Sequence, residues 1–109
     1  MKILLDNNAP RGLVRALRGH TVTEARELGW DALENGALIT AAEDAGFDVI
    51  VTLDQRIKYQ QNLKSRKIAL VVLTKGRWTL VRWILQEIII AVDEATPGSY
   101  REVVVPFRD

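Results

Sequence analysis

Three short stretches of the chain are continuously apolar rather than alternating: Ile3-Leu4-Leu5, Val49-Ile50-Val51 and the run from Ile68 to Leu73. Unbroken runs of this length are what strands buried on both faces look like. They predict a first strand over Lys2 to Asp6, a clear one over Phe47 to Leu53 and another over Ile68 to Leu73. A shorter, alternating stretch from His20 to Thr23 predicts one more, and Glu102 to Phe107 has strand character with Pro106 marking an edge or terminus. Between the strands the spacing becomes helical. Pro10 suits a first helical turn, with Asn7 or Asn8 as cap, Leu13, Val14 and Leu17 as apolar stripe and Gly19 as stop. Asn35 suits the cap of a helix over 36–45, closed by Gly46. Residues 55–64 read as a helix or helical turn carrying basic and amide side chains. A long helix is expected from its cap Thr79 to about Ala95, stopped by Pro97-Gly98. Its Ile88-Ile89-Ile90 run is apolar nearly all round, so this helix should be partly enclosed, and its apolar surface could serve a homodimer or partner.

Strands and helices therefore alternate. The expected fold class is α/β: one domain over residues 1–109, with a mostly parallel central sheet of four to five strands flanked by helices on both faces. Ligands of such sheets bind outside the carboxyl ends of the strands, near a switch in strand order. Asp6 and Asp54 both stand at such ends, which makes them the candidate site.

Composition narrows the chemistry. A chain of 109 residues with 48% hydrophobic content suits one domain with a real core, and the absence of cysteine removes disulfides, zinc-thiolate sites and thiol nucleophiles. The apolar start Met1 to Leu5 is too short for a signal peptide, and no stretch approaches the roughly 20 residues of a membrane span. A cytoplasmic protein without a membrane association is expected. The net charge of +1 hides a strong segregation. Residues 1–54 carry five Lys/Arg and nine Asp/Glu, residues 55–86 carry eight basic residues and no acid, and residues 87–109 carry two basic residues and five acids. The acid-free middle, which also holds Tyr59, Trp78 and Trp83, is the footprint of a phosphate-tracking surface with stacking platforms. Trp83, amid Leu80, Val81, Ile84 and Leu85, reads as core; Trp78, beside Arg77 at a helix start, reads as an exposed contact.

Two carboxylates converging at strand ends in a cysteine-free chain suit a hard cation. Mg²⁺ or Mn²⁺ prefers oxygen ligands and needs few protein carboxylates alongside water and substrate phosphate. The plainer alternative is that each aspartate caps the element that follows it. His20, the lone histidine, suits a structural hydrogen bond better than catalysis. Without a histidine placed to activate Ser65 or Ser99 there is no hydrolase triad, and no phosphate-binding glycine motif is present.

The segment Asp6-Asn7-Asn8-Ala9-Pro10, followed by Gly19-His20, Gly29-Trp30, the helix from Asn35 and Val51-Thr52-Leu53-Asp54-Gln55, resembles the small PIN-like nuclease domains encoded as toxins in bacterial toxin–antitoxin operons. The likeness spans about residues 2–90. It implies a PIN-like fold, an Mg²⁺ or Mn²⁺ site, RNA cleavage and a small antitoxin partner, of helix-turn-helix type. Asp6 and Asp54 match the aspartates that end the first strand and the T-x-D element of that family. The remaining positions depart from it: Asn7 stands where a glutamate is typical, Asn35 where an aspartate is common and Ala37 where a further glutamate is frequent. The resemblance thus implies a catalytic set of Asp6, Asp54, Asn7 and Asn35 and a metal held by Asp6 and Asp54; Glu34, in the adjoining loop, is an acid that would help, and the basic segment offers Arg56, Lys58, Tyr59, Arg77 and Trp78 as RNA contacts. Asp31 is a further acid near enough in sequence to compensate. Two other readings stand beside it: a catalytically silent PIN-like module that binds RNA or a partner protein, and a flavodoxin-like or receiver-like signalling domain.

Overall fold

Odd and even positions of the buried strands feed two different cores. The computed structural model describes residues 1–33, 35–57 and 63–106, with the backbone alone described at Asn35 and Lys64. Five strands form one sheet: β1 (Lys2–Leu5), β2 (Thr21–Glu24), β3 (Val49–Thr52), β4 (Ala69–Leu73) and β5 (Tyr100–Val103). Their order is β2-β1-β3-β4-β5 and every pairing is parallel. Ile3 pairs with Val49 and Val49 with Ala69, so these side chains share one face, while Leu4, Ile50 and Leu70 share the other. The helices are α1 (Leu13–Ala16), α2 (Asn35–Asp44), α3 (Trp78–Val81) and α4 (Leu85–Asp93). The first face buries Leu13, Leu17, Val81, Ile88 and Val92; the second buries Leu38, Ile39, Ala42, Phe47 and Ile57. This is a three-layer α/β domain, as the alternation of patterns predicts.

The order reverses at β1. The chain leaves β1 for β2 on one side, then returns behind the sheet through α2 to β3 on the other side, so β1 and β3 flank the switch point. The crossover through α1 lies on the first face and the next two, through α2 and past Ile57 and Leu63, lie on the second. Given the direction each one travels, these three share a hand. The crossover from β4 to β5 runs through α3 and α4 on the first face while travelling away from β1, so its hand is opposite. Such reversals are uncommon. Here the reversal places α3 beside the start of α1.

Several local expectations change. The first helix is one turn long, starts after Gly12 with no side-chain cap and ends at Ala16 rather than at Gly19. The reason is that Ala9, Leu13 and Val14 donate their amides to turn carbonyls at Asp6, Pro10 and Arg11. The long helix starts at Trp78, with Arg77 rather than Thr79 in the cap position, and is broken by a 3₁₀ turn over Arg82–Ile84. That turn shifts the helical phase: Val81, Ile84 and Ile88 go inward, and Trp83 turns out to 68% exposure instead of joining the core. The Arg82 guanidinium lies 5.2 Å from the Trp83 ring. Of the three isoleucines in α4, Ile88 is buried and Ile90 is 39% exposed. The fifth strand runs Tyr100–Val103, earlier than expected, with Phe107 outside the described residues. Much of the helix expected over 55–64 also lies outside them. Among the described residues no helix is long and apolar enough to cross a membrane.

Glu43 ties the back of α2 to the entry of β4. Its carboxylate accepts from Arg66 Nη1 at 2.7 Å and from the Lys67 amide at 2.6 Å. Burial alone would push this carboxyl up, but the Arg66 guanidinium and the Lys67 and Ile68 amides outweigh it and hold it below its ordinary value. Folding therefore lowers the proton affinity of Glu43. Its stabilisation is fully present above about pH 5 and is lost as pH falls through the depressed folded value. Glu43→Gln is expected to lower stability by about 1 kcal/mol at pH 7 in urea melts, with the gap to wild type closing below about pH 4. A gap independent of pH would exclude the charge as its cause.

Candidate active site

A threonine that ends a buried strand has no apolar use for its hydroxyl. Thr52, the last residue of β3, is 0% exposed, and its Oγ1 donates to Asp6 Oδ2 at 2.7 Å while accepting the Asp54 amide at 3.1 Å. The Asp6 amide donates to the Val51 carbonyl at 2.9 Å, extending the β1–β3 pairing by one residue beyond the strand. One hydroxyl thus joins both aspartates across the switch point.

Each carboxylate also caps locally: Asp6 Oδ1 accepts the Asn7 amide at 2.8 Å, and Asp54 Oδ1 accepts the Arg56 amide at 3.0 Å. Capping and site formation therefore coexist. An ionised carboxylate offers about four lone-pair positions. The bonds found among the described residues use two on Asp6 and one on Asp54, leaving acceptor capacity on both. These residues line a cleft of about 640 Å³ together with Asn7, Asn8, Asp31, Leu53, Gln55 and Arg56.

Asn7 adds a further acceptor. Its Nδ2 donates to the Asp31 carbonyl at 2.9 Å, which fixes the amide's orientation, and its buried Oδ1 has no hydrogen-bond partner among the described residues. A buried orphan acceptor calls for a cation or an ordered water. Two carboxylates with spare lone pairs and one orphan carbonyl oxygen form an all-oxygen donor set, which suits Mg²⁺ or Mn²⁺. The charge is sparse, however: among the described residues no group of three or more His, Asp or Glu side chains could hold a metal ion.

The structure thus brings together Asp6, Asp54, Asn7 and Arg56. Asn35 opens α2, but its side chain, like Glu34, Lys58 and Tyr59, lies outside the described residues. Arg77 and Trp78 stand at the start of α3, and Trp78 lines a different concavity. The acid-free middle of the chain is not one surface, since Arg66 is spent on Glu43. His20 sits at the amino ends of the strands, opposite the aspartates, with Nδ1 3.1 Å from the Met1 amino group and Nε2 2.8 Å from Asp93 Oδ1. Thr52 was absent from the expected site, and Asp31, expected there as a compensating acid, anchors Asn7 through its backbone carbonyl. The threonine of the T-x-D element was the available signal for the first; nothing local signals that the Asp31 carbonyl anchors Asn7.

The first 75 residues match the family model described as a PIN-like domain. The chain belongs to that family. Membership supports a nuclease-type function in general and separates this chain from flavodoxin-like domains, which use the same strand order. No significant match is found among curated proteins or among solved structures.

Removing the Thr52 hydroxyl should leave Asp6 Oδ2 and the Asp54 amide unpaired in a part-buried setting. Thr52→Val is expected to cost about 1–3 kcal/mol in chemical denaturation, with Thr52→Ser costing less. Equal losses in the two variants would show that packing, not the hydroxyl, matters there.

Proposed function

We propose that this protein is a metal-dependent endoribonuclease and the toxin component of a type II toxin–antitoxin system. The observation that carries the reading is the Thr52-linked pair of aspartates at the switch point of a PIN-like domain. Asp6 and Asp54 would hold Mg²⁺ or Mn²⁺, with Asn7 Oδ1 as a neutral donor and Glu34 and Asn35 as further candidates. A cation bound there supplies charge neutralisation at the phosphodiester and acidifies a water. The protein's own groups do the rest. Thr52 orients the Asp6 carboxylate and anchors the Asp54 backbone beside it, which pre-positions that edge of the cleft before substrate arrives. Asp54, with the freer carboxylate, is the acceptor available for a proton in the cleft. Arg56, exposed at the rim, meets the phosphate backbone. Lys58 and Tyr59, two and three positions after Arg56 in sequence, extend this reading along the chain.

One observation favours a second reading, a catalytically silent PIN-like module binding RNA or a partner. Asn7 offers an amide where the resemblance leads one to expect a carboxylate, and the described residues lack a third converging acid. Metal-dependent turnover separates the two readings. In the toxin reading the protein acts in the cytoplasm and is restrained by a small helix-turn-helix antitoxin encoded beside it.

Incubation with single-stranded RNA should give Mn²⁺- or Mg²⁺-dependent cleavage that falls by about 10²- to 10³-fold in the Asp6→Asn, Asp54→Asn double variant. Equal cleavage by both proteins would refute the nuclease assignment. RNA binding without metal uptake or cleavage would establish the silent module. Expression in a bacterial host should slow growth, and co-expression of the adjoining small reading frame should relieve it.

A further inference from the structure

A larger concavity, of about 740 Å³, lies next to the aspartate cleft, lined by residues of α1, its preceding turn, Trp78 and Leu85. Among the described residues the two hollows have no lining residue in common, but they draw on the same loop. The loop after β1 contributes Asp6, Asn7 and Asn8 to the cleft and, a few residues on, Arg11 and Gly12 to this groove. The loop after β4 seals the boundary: a Cβ on Gly76 would meet Leu53 Cδ1 at 2.4 Å and the Asn8 carbonyl oxygen at 3.1 Å. Gln55 Nε2 also donates to the Thr74 carbonyl at 3.3 Å. Six chain steps lead from Asp6 to Gly12, so their Cα atoms lie roughly 20 Å apart at most. A few unstacked nucleotides bridge that distance.

Trp78 has one face covered and area to spare. A Cβ on Gly12 would stand 2.6–2.7 Å from three consecutive carbons of the six-membered ring, so Gly12 lies against one ring face. The side chain is nevertheless 38% exposed. Around it the cations outnumber the acids. Glu24, itself buried, bonds Arg11 Nε at 3.0 Å, yet the Arg11 side chain stays 75% exposed with its other donors outward. Arg15 and Arg77 are exposed and form no ion pair among the described residues. Glu27, the remaining acid, accepts the Glu24 amide at 3.2 Å. An indole packed on one face, with Arg11 and Arg15 lining the same groove and an acidic cleft built on the same loop, fits a polyanion bearing flat bases.

We infer that this groove is a second nucleotide subsite, in which Trp78 stacks a base of single-stranded RNA whose backbone runs over the Gly76 boundary into the aspartate cleft, with Arg11 and Arg15 facing its phosphates. The inference rests on the RNA-cleaving reading and adds the direction and length of the strand. Its test uses the Asp6→Asn, Asp54→Asn protein, which should not cut, and labelled oligouridines of three and nine nucleotides followed by fluorescence anisotropy. In that background, Trp78→Leu should reduce the affinity gained between trimer and nonamer by about 5- to 150-fold, and Trp78→Tyr should restore most of it. Arg15→Ala should shrink the slope of log affinity against log salt by about 0.7. If Trp78→Leu proves unfolded by circular dichroism, the exposed Arg15 carries the test. Unchanged nonamer affinity and salt slope in these variants, with Arg56→Ala still weakening binding, would overturn the subsite while sparing the nuclease reading and would leave the groove to a protein partner. No RNA binding by the parent protein would overturn both.

Discussion

The hydroxyl of Thr52 is the constraint on which the candidate site depends. It is a single buried group that uses its donor on one aspartate and its acceptor on the backbone of the other. Both bonds matter, because the hydroxyl is fully buried and a buried polar group without a partner costs more than a satisfied one contributes. The register of β1 against β3 sets the geometry first, pairing Leu5 with Val51, and the Asp6 amide continues that pairing onto the Val51 carbonyl. Thr52 then converts strand register into carboxylate placement. Two acids that would otherwise repel are held at one edge of the sheet by the same packing that buries Ile3, Val49 and Ile50.

The topology determines what surrounds that edge. Because strand order reverses at β1, the loops after β1 and β3 diverge to opposite faces and leave a crevice between them. Because the β4–β5 crossover has the opposite hand to the rest, α3 comes back toward the start of α1 and sets Trp78 on Gly12. Cleft and groove are therefore neighbours through chain connectivity as well as through charge.

The strands and the two aspartates were legible because their signals are local. A β-branched or leucine run buried on both faces needs no knowledge of its neighbours, and an acid directly after such a run falls at the carboxyl edge of a parallel sheet. What stayed hidden depends on distant partners or on helical phase. Asn7 binds a carbonyl 24 residues away, an anchor that neither its reading as a cap nor its place in the expected catalytic set reveals. Trp83 sits among apolar residues in sequence, and only the 3₁₀ turn over Arg82–Ile84 turns it outward. Arg66 looked like part of a nucleic-acid surface but is claimed by Glu43, an acid on α2 that sequence separation conceals. Charge along the chain does not show which cations are claimed by distant acids.

The sparse charge of the cleft is the feature that most sharply divides an active enzyme from a silent module, and metal uptake reads it directly. Two-dimensional amide NMR during titration with Mn²⁺ locates a bound paramagnetic ion by the resonances it broadens. The account predicts early broadening confined to residues 6–8, 31 and 52–56, abolished in the Asp6→Asn, Asp54→Asn protein. Broadening centred elsewhere, or none at millimolar Mn²⁺, would contradict a cation site built on the Thr52-linked aspartates.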